Sequence, residues 1–181
     1  MKNLAATKPK QRGLLKPHHA LELLAADHRS ALGMFADYER LRKSDDGAAK
    51  GKLALRLCHL LTLHAHLEEE IFYPAAAAVL AARGAALLGQ SRVEHDALAH
   101  LMHRLEHMAA SHALFDATVA VLGSYFRRHT EEEEDELFGA LRRTNLDFAG
   151  LGERLASRQL ELATRPPDRR TFREGRRVMA Q

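Results

Sequence analysis

The chain has 181 residues, a formal net charge of +3 and one cysteine, Cys58. This length fits one domain with a buried core, and a single cysteine excludes an internal disulfide and any cysteine-based zinc or iron–sulfur site. No apolar run approaches the roughly 18 residues of a membrane-spanning helix, and the basic start lacks the apolar core of a secretory signal. We therefore expect a cytoplasmic protein. Abundant Ala and Leu without Trp predict an all-α fold.

Positive charge is concentrated at the two ends of the chain. Residues 1–16 carry five Lys or Arg and no acidic residue, and residues 164–181 carry six Arg against two acidic residues. We predict two basic tails that flank one helical domain over residues 17–163. Basic tails can bind nucleic acid, but solvated ends that keep a protein in solution are commoner, so we favour the latter.

The sequence predicts five helices. Their approximate spans are 17–43, a second helix that ends near 73, then 85–110, 114–143 and a shorter 147–162. Pro74 is expected to end or kink the second helix, and the Ala-rich stretch after it to continue as helix to about 82. Apolar residues recur three or four positions apart along the first four helices, which is the pattern of a helix-bundle seam. The fifth is expected to lie on the bundle.

One sequence motif occurs twice in the chain. It reads His64-Ala-His-Leu-Glu68-Glu69 in the second helix and His129-Thr-Glu-Glu-Glu133-Glu134 in the fourth. An acidic residue followed by His precedes each copy, as Asp27-His28 and Glu94-His95, at distances of 36 and 34 residues between the histidines. The chain therefore contains two copies of a helix pair.

Four of these histidines replace apolar residues on the predicted buried stripes: His28, His64, His95 and His129. Burying imidazoles and carboxylates together is unfavourable unless something cationic binds them. Residues four apart share a helix face, so Glu68 and Glu133 face the same layer. We predict a two-metal site in which each ion takes two His and both Glu act as bridges. Imidazole with carboxylate favours iron, with zinc or manganese as alternatives.

Other polar groups near these motifs are expected to lie outside the site. His66 and Glu70 form a competing His-x3-Glu pair, but they are off the stripe and break the match to the second copy. Glu69 and Glu134 are interpreted as outer or surface groups rather than ligands. His100, His103 and His107 could capture adventitious metal, but exposed helix surface is the favoured assignment for them. The other histidines are assigned to a neighbouring helix face or to helix ends.

The order of these motifs resembles the hemerythrin-like cation-binding family over about residues 17–143. That resemblance implies an up-down-up-down four-helix bundle, with the predicted short C-terminal helix as an addition, around a non-haem di-iron centre with a bridging oxo or hydroxo group. The implied ligands are His28, His64, Glu68, His95, His129 and Glu133. Oxygen carriers place a second His one turn from His95, where this chain has Ser91 and Ala99. The chain is thus more similar to the bacterial iron-centre-repair and stress-type members.

The resulting functional hypothesis is a di-iron protein that binds or senses a small oxidant or diatomic, such as O₂, NO or peroxide. One alternative is a stress enzyme that consumes peroxide or NO. Another is a metal-stabilised interaction module whose basic tails bind nucleic acid. Tyr38 and Tyr125 are the only ring hydroxyls expected near the stripes, and no general acid is evident. Catalytic turnover and pairing into a homodimer are left open.

Overall fold

The computed structural model describes residues 19–80 and 82–164, and it is helical without strands over those residues. Its helices are α1 (Ala20–Leu41), α2 (Gly47–Leu67), α3 (Tyr73–Val79), α4 (Ala82–Glu106), α5 (Phe115–Glu132), α6 (Phe138–Leu141) and α7 (Phe148–Thr164). Two π-helical turns, Glu68–Phe72 and Glu133–Leu137, join α2 to α3 and α5 to α6. In the described part of the chain no helix could cross a membrane. The predicted tails lie outside the described residues except for Thr164.

The long helices form the predicted antiparallel four-helix bundle. Helix α1 packs against α2 and α5, and α4 packs against the same two helices. Along α1 and α5 the contacts run from His28 with Phe126 to Tyr38 with Asp116, so the two helices run in opposite directions. The all-α bundle with an extra C-terminal helix is confirmed.

Two apolar cores lie on either side of the layer that holds the buried histidines. One core is built from α1, α2, α4 and α5 and contains Phe35, Leu57 and Leu122. The other contains Leu24, Phe72 and residues of α7. Burial of these side chains stabilises the fold and offsets the cost of burying a polar layer in the middle of the bundle.

Helix α7 covers one side of the bundle. It contacts α1, α2 and the first π turn, and it buries Leu151, Leu155 and Leu162 against the second of these cores. The predicted fifth helix is therefore present, displaced by one or two residues at its ends.

The π turns were not predicted. Each begins at the second residue of a His-x3-Glu pair and closes five residues on, because the N–H of Tyr73 bonds to the carbonyl of Glu68 and that of Phe138 to the carbonyl of Glu133. Pro74 neither ends nor interrupts the helix, since it lies in the first turn of α3, just after the first π turn. The second wide turn is followed by Gly139, so proline is not what causes these turns.

Candidate metal centre

Each long helix contributes one histidine to a common layer: His28 from α1, His64 from α2, His95 from α4 and His129 from α5. All four are at most 3% exposed. Their Nε2 atoms face each other in two pairs, with 3.0 Å between His28 and His64 and 3.3 Å between His95 and His129. The predicted convergence of the four helices on one layer is therefore observed.

Glu68 lies between the two histidine pairs. Its Oε1 is 3.2 Å from Nε2 of His64, and its Oε2 is 3.2 Å from Nε2 of His95. Glu133 approaches from the opposite helix, with its Oε2 3.3 Å from Nε2 of His28. Donor atoms of five of these residues lie within 4.8 Å of one another, which is compatible with metal binding: His28, His64, Glu68, His129 and Glu133. His95 joins the cluster through Glu68.

Three carboxylate oxygens in this layer are buried without a hydrogen bond. They are both oxygens of Glu133 and Oε1 of Glu68, although histidine nitrogens lie 3.2–3.3 Å away in poor hydrogen-bond geometry. A buried anionic acceptor without a partner costs free energy, and bound cations are a usual remedy. The donor set and these unsatisfied oxygens both fit a metal.

A ring of outer carboxylates orients the histidines. Nδ1 of His28 lies 2.8 Å from Glu134, Nδ1 of His95 lies 2.9 Å from Glu69, and Nδ1 of His129 lies 3.0 Å from Glu94. The Nδ1 of His64 is 3.8 Å from Asp27, too far for a hydrogen bond. A hydrogen bond from Nδ1 leaves the lone pair on Nε2, the nitrogen that faces the centre.

The outer roles predicted for Glu69 and Glu134 agree with these contacts. Asp27 and Glu94 were recognised only as part of the repeat, but their carboxylates lie 3.8 Å and 3.0 Å from Nδ1 of His64 and His129. His66 is half-buried outside the layer, and Glu70 is exposed and pairs with Arg158 of α7. The competing His-x3-Glu pair is therefore not part of the cluster.

The buried carboxylates of the layer favour positive charge on the groups around them. Burial alone would lower the pKa of His28, but the adjacent Glu133 and Glu68 carboxylates outweigh it and raise the pKa from 6.5 to about 10. Burial opposes the same effect at His95, where Glu68 and Glu69 raise the pKa to about 9. Either protons or metal ions can supply this charge, so metal binding must displace protons.

The sequence prediction of nearby hydroxyls was wrong. Tyr38 is buried, but its hydroxyl donates to Asp116 away from the centre, and Tyr125 is 53% exposed. The hydroxyl in the layer belongs to Tyr73, which is fully buried, with Oη 3.3 Å from Nε2 of His95 and 3.4 Å from Oε2 of Glu68. Burial, with the charges of Glu133 and Glu68, raises the pKa of Tyr73 well above 10.

Tyr73 reaches the layer because of the first π turn. It is the fifth residue after Glu68. In an α-helix the residues that share a face are three or four apart, whereas a π turn closes at the fifth residue. Only the wide turn therefore brings the Tyr73 ring to the same side of the helix as the Glu68 carboxylate. No periodicity in the sequence reports this.

A small cavity of about 10 Å³ adjoins the layer. It touches His64 and His95, one histidine from each pair, and is otherwise lined by Leu61, Ala65, Leu98, Met102 and Phe126. Its walls are mostly apolar, and its size is near the minimum that holds a water molecule. Only a very small ligand fits without rearrangement of these side chains.

The sequence model of the Hemerythrin HHE cation binding domain matches residues 19–141. The chain belongs to this family. The hemerythrin fold is also found in a solved structure, that of a Hemerythrin HHE cation binding domain-containing protein from Mycobacterium kansasii, with a TM-score of 0.66 and 20% identity. That alignment covers 82% of this chain and 94% of the other. No curated protein sequence matches this hemerythrin-like chain.

Family membership and the buried His/Glu cluster together support metal binding. The structure brings all six predicted ligands of this hemerythrin-like domain into one layer. Their individual roles, the identity of the metal and the number of ions are predictions.

Proposed function

We propose that this protein holds two iron ions between its four buried histidines and uses them to bind or sense a small oxidant or diatomic. The observation that carries the proposal is the Glu133 carboxylate, whose two oxygens are buried without hydrogen bonds among imidazole nitrogens. His28 and His64 would hold one ion, and His95 and His129 the other. Glu68 and Glu133 would bridge them, with zinc or manganese as alternative metals.

The cavity beside His64 and His95 supports a small ligand. It touches one histidine of each proposed pair, so a molecule in it would be next to a ligand of each proposed ion. Its small size and mostly apolar walls favour O₂ or NO, with peroxide as a further candidate. When bound, the iron would supply Lewis acidity and redox chemistry.

The protein's own contribution would be to orient the ligands and to supply a proton. Glu134, Glu69 and Glu94 hold three histidines with Nε2 directed inward. The raised pKa of Tyr73 keeps its hydroxyl protonated. Tyr73 Oη can therefore donate to an oxygen atom placed beside His95.

Tyr73 gives specific support to a second candidate function, a stress enzyme that consumes peroxide or NO. Hydrogen-bond donors aimed at developing negative charge contribute about 10²–10³-fold to such reactions, and the buried Tyr73 hydroxyl beside the centre can act as one. The third hypothesis, a nucleic-acid-binding module, depends on tails that lie outside the described residues, and no observation favours it.

Metal analysis of anaerobically purified protein tests the proposal directly. We expect about two iron ions per chain and a visible absorption change on exposure to O₂, NO or peroxide. Sustained consumption of peroxide by the iron-loaded protein would identify an enzyme, whereas a single stoichiometric change would identify a binding or sensing protein. Less than one metal per chain after growth with added iron, zinc or manganese would contradict a two-metal centre.

A further inference from the structure

A second group of potential metal ligands lies on the surface at the end of α4. His103, Glu106 and His107 each offer one donor atom, and these atoms lie within 4.8 Å of one another. Both histidines are exposed and Glu106 is partly exposed. The two imidazole rings lie side by side, with 4.3 Å between their centroids. None of the three residues takes part in the buried layer.

The protonation state of His107 favours ligation. Its Nδ1 lies 2.8 Å from the carbonyl oxygen of His103. A carbonyl oxygen can only accept, so Nδ1 carries the hydrogen and the lone pair of the neutral ring is on Nε2. The same hydrogen bond fixes the orientation of the ring, as backbone carbonyls commonly do for metal-binding histidines.

The position in the helix also favours a cation. Helix α4 ends at Glu106, and His107 is the first residue beyond it. The C-terminal end of a helix carries partial negative charge from its unpaired carbonyl groups. An ion bound here would therefore gain from the helix as well as from the Glu106 carboxylate.

We propose that His103, Glu106 and His107 form a second metal site, which binds one borderline divalent ion such as Zn²⁺ or Ni²⁺. Two imidazoles and one carboxylate suit these ions, and the exposed position leaves the remaining coordination to water or to an external ligand. His103 is eight residues beyond His95 on the same helix, about 12 Å at the helical rise per residue. The site is therefore distinct from the buried centre.

Metal binding at this site would stabilise the C-terminal end of α4. The donor atoms meet only when residues 103–107 adopt this conformation, so the ion binds the folded state and stabilises it. The connection to α5 starts at His107, and the ion would hold its first residue against the last helical turn. This proposal does not depend on the identity or function of the buried centre.

Calorimetric titration of the metal-loaded protein with Ni²⁺ tests the assignment. The variants are His103→Gln, His107→Gln and Glu106→Gln, and the matched control is His100→Gln, an exposed histidine of α4 outside the group. We expect one additional Ni²⁺ per chain for the unmodified protein and the control. Each histidine variant should weaken this binding at least about tenfold, and Glu106→Gln by less.

Two controls keep the result decisive. Metal content of the buried centre and circular dichroism should be the same in all variants, because the substituted side chains are on the surface. Unchanged Ni²⁺ affinity in both histidine variants would overturn the proposal. Equal loss in the His100→Gln control would also overturn it, since the ligand set would then differ from the one assigned.

Discussion

The two halves of the buried layer come from the same sequence phrase but differ in their surroundings. In one half, Tyr73 lies five residues after Glu68, the proposed bridge, and its ring is 5.6 Å from that of His95. In the other, Phe138 lies five residues after Glu133 and its ring stacks on His28 at 6.2 Å. One half thus has a hydroxyl where the other has only an aromatic face.

A second pair of equivalent positions repeats the contrast. Ser91 lies four residues before His95 and Leu24 four residues before His28, and both are buried. His95 is therefore flanked by the hydroxyl-bearing residues Tyr73 and Ser91, whereas His28 is flanked by the apolar residues Phe138 and Leu24. The duplication supplies the candidate ligands twice but a buried ring hydroxyl once within the described residues, so we expect proton-coupled chemistry at the His95 side of the proposed centre.

The largest expected effect comes from removing the carboxylate that both halves share. Glu68→Ala should lower bound metal from about two ions per chain to less than one, because Glu68 contacts His64 and His95. The matched control is Glu70→Ala, an exposed residue two positions on, which should leave the metal content unchanged. Plasma emission analysis of both variants measures this, and equal metal in the two would refute the bridging role.

Exchanging the aromatic residues tests whether the halves differ in reactivity. Tyr73→Phe should slow peroxide consumption, or formation of the oxidised absorption spectrum, by about 10²-fold, with metal content retained because the ring is kept. Phe138→Tyr adds a hydroxyl at the equivalent position and should not restore the rate in the double variant. Stopped-flow absorption measures both, and equal rates for Tyr73→Phe and the unmodified protein would disprove the assignment.

Metal removal should have a pH-dependent effect on stability. The pKa values of His28 and His95 are raised to about 10 and about 9, so the folded metal-free protein holds more protons than the unfolded chain above pH 6.5. The stability that these extra protons contribute is fully present below pH 6.5 and is lost as the pH rises through 9 to 10. In the loaded protein, metal takes the place of these protons.

The measurement that follows is thermal unfolding with and without chelator at pH 6 and pH 9. A ligand at a thousandfold excess over its Kd stabilises by about 4 kcal/mol, so chelation should lower the Tm by several degrees. The decrease should be larger at pH 9. A decrease of the same size at both values would show that the histidine charges do not contribute.

The smallest effect should come from the outer carboxylates. Glu134→Gln removes the charge that His28 contacts at 2.8 Å, and loss of such a partner typically weakens metal affinity about 10–100-fold. Glu136→Gln, on the same π turn but exposed, serves as the control. Competition with a metal indicator gives the affinities, and identical values would exclude Glu134 as an orienting group.

The sequence predicted the helices and the six converging residues because both follow from α-helical periodicity and from the internal repeat. His28 and His95 could be placed because each interrupts an apolar stripe, and Glu68 because it is four residues after His64. Tyr73 could not be placed, since its position depends on a turn of a different period. The role of Asp27 and Glu94 was also hidden, because each lies beside a histidine of a neighbouring helix rather than its own.

Each of the two π turns changes which face of its helix points into the bundle. Before the turn, the chain presents Leu57 and Leu61 to one apolar core, and after it Phe72 and Ala76 to the other. Each turn adds a residue to the helical cycle and so rotates the residues after it relative to those before it. Deleting one residue between 69 and 72 would restore a regular helix, rotate everything beyond it and move Tyr73 out of the layer. The buried layer thus lies at the level where the two helices that carry the His-x3-Glu pairs change phase, whereas α1 and α4 pass through it as regular helices.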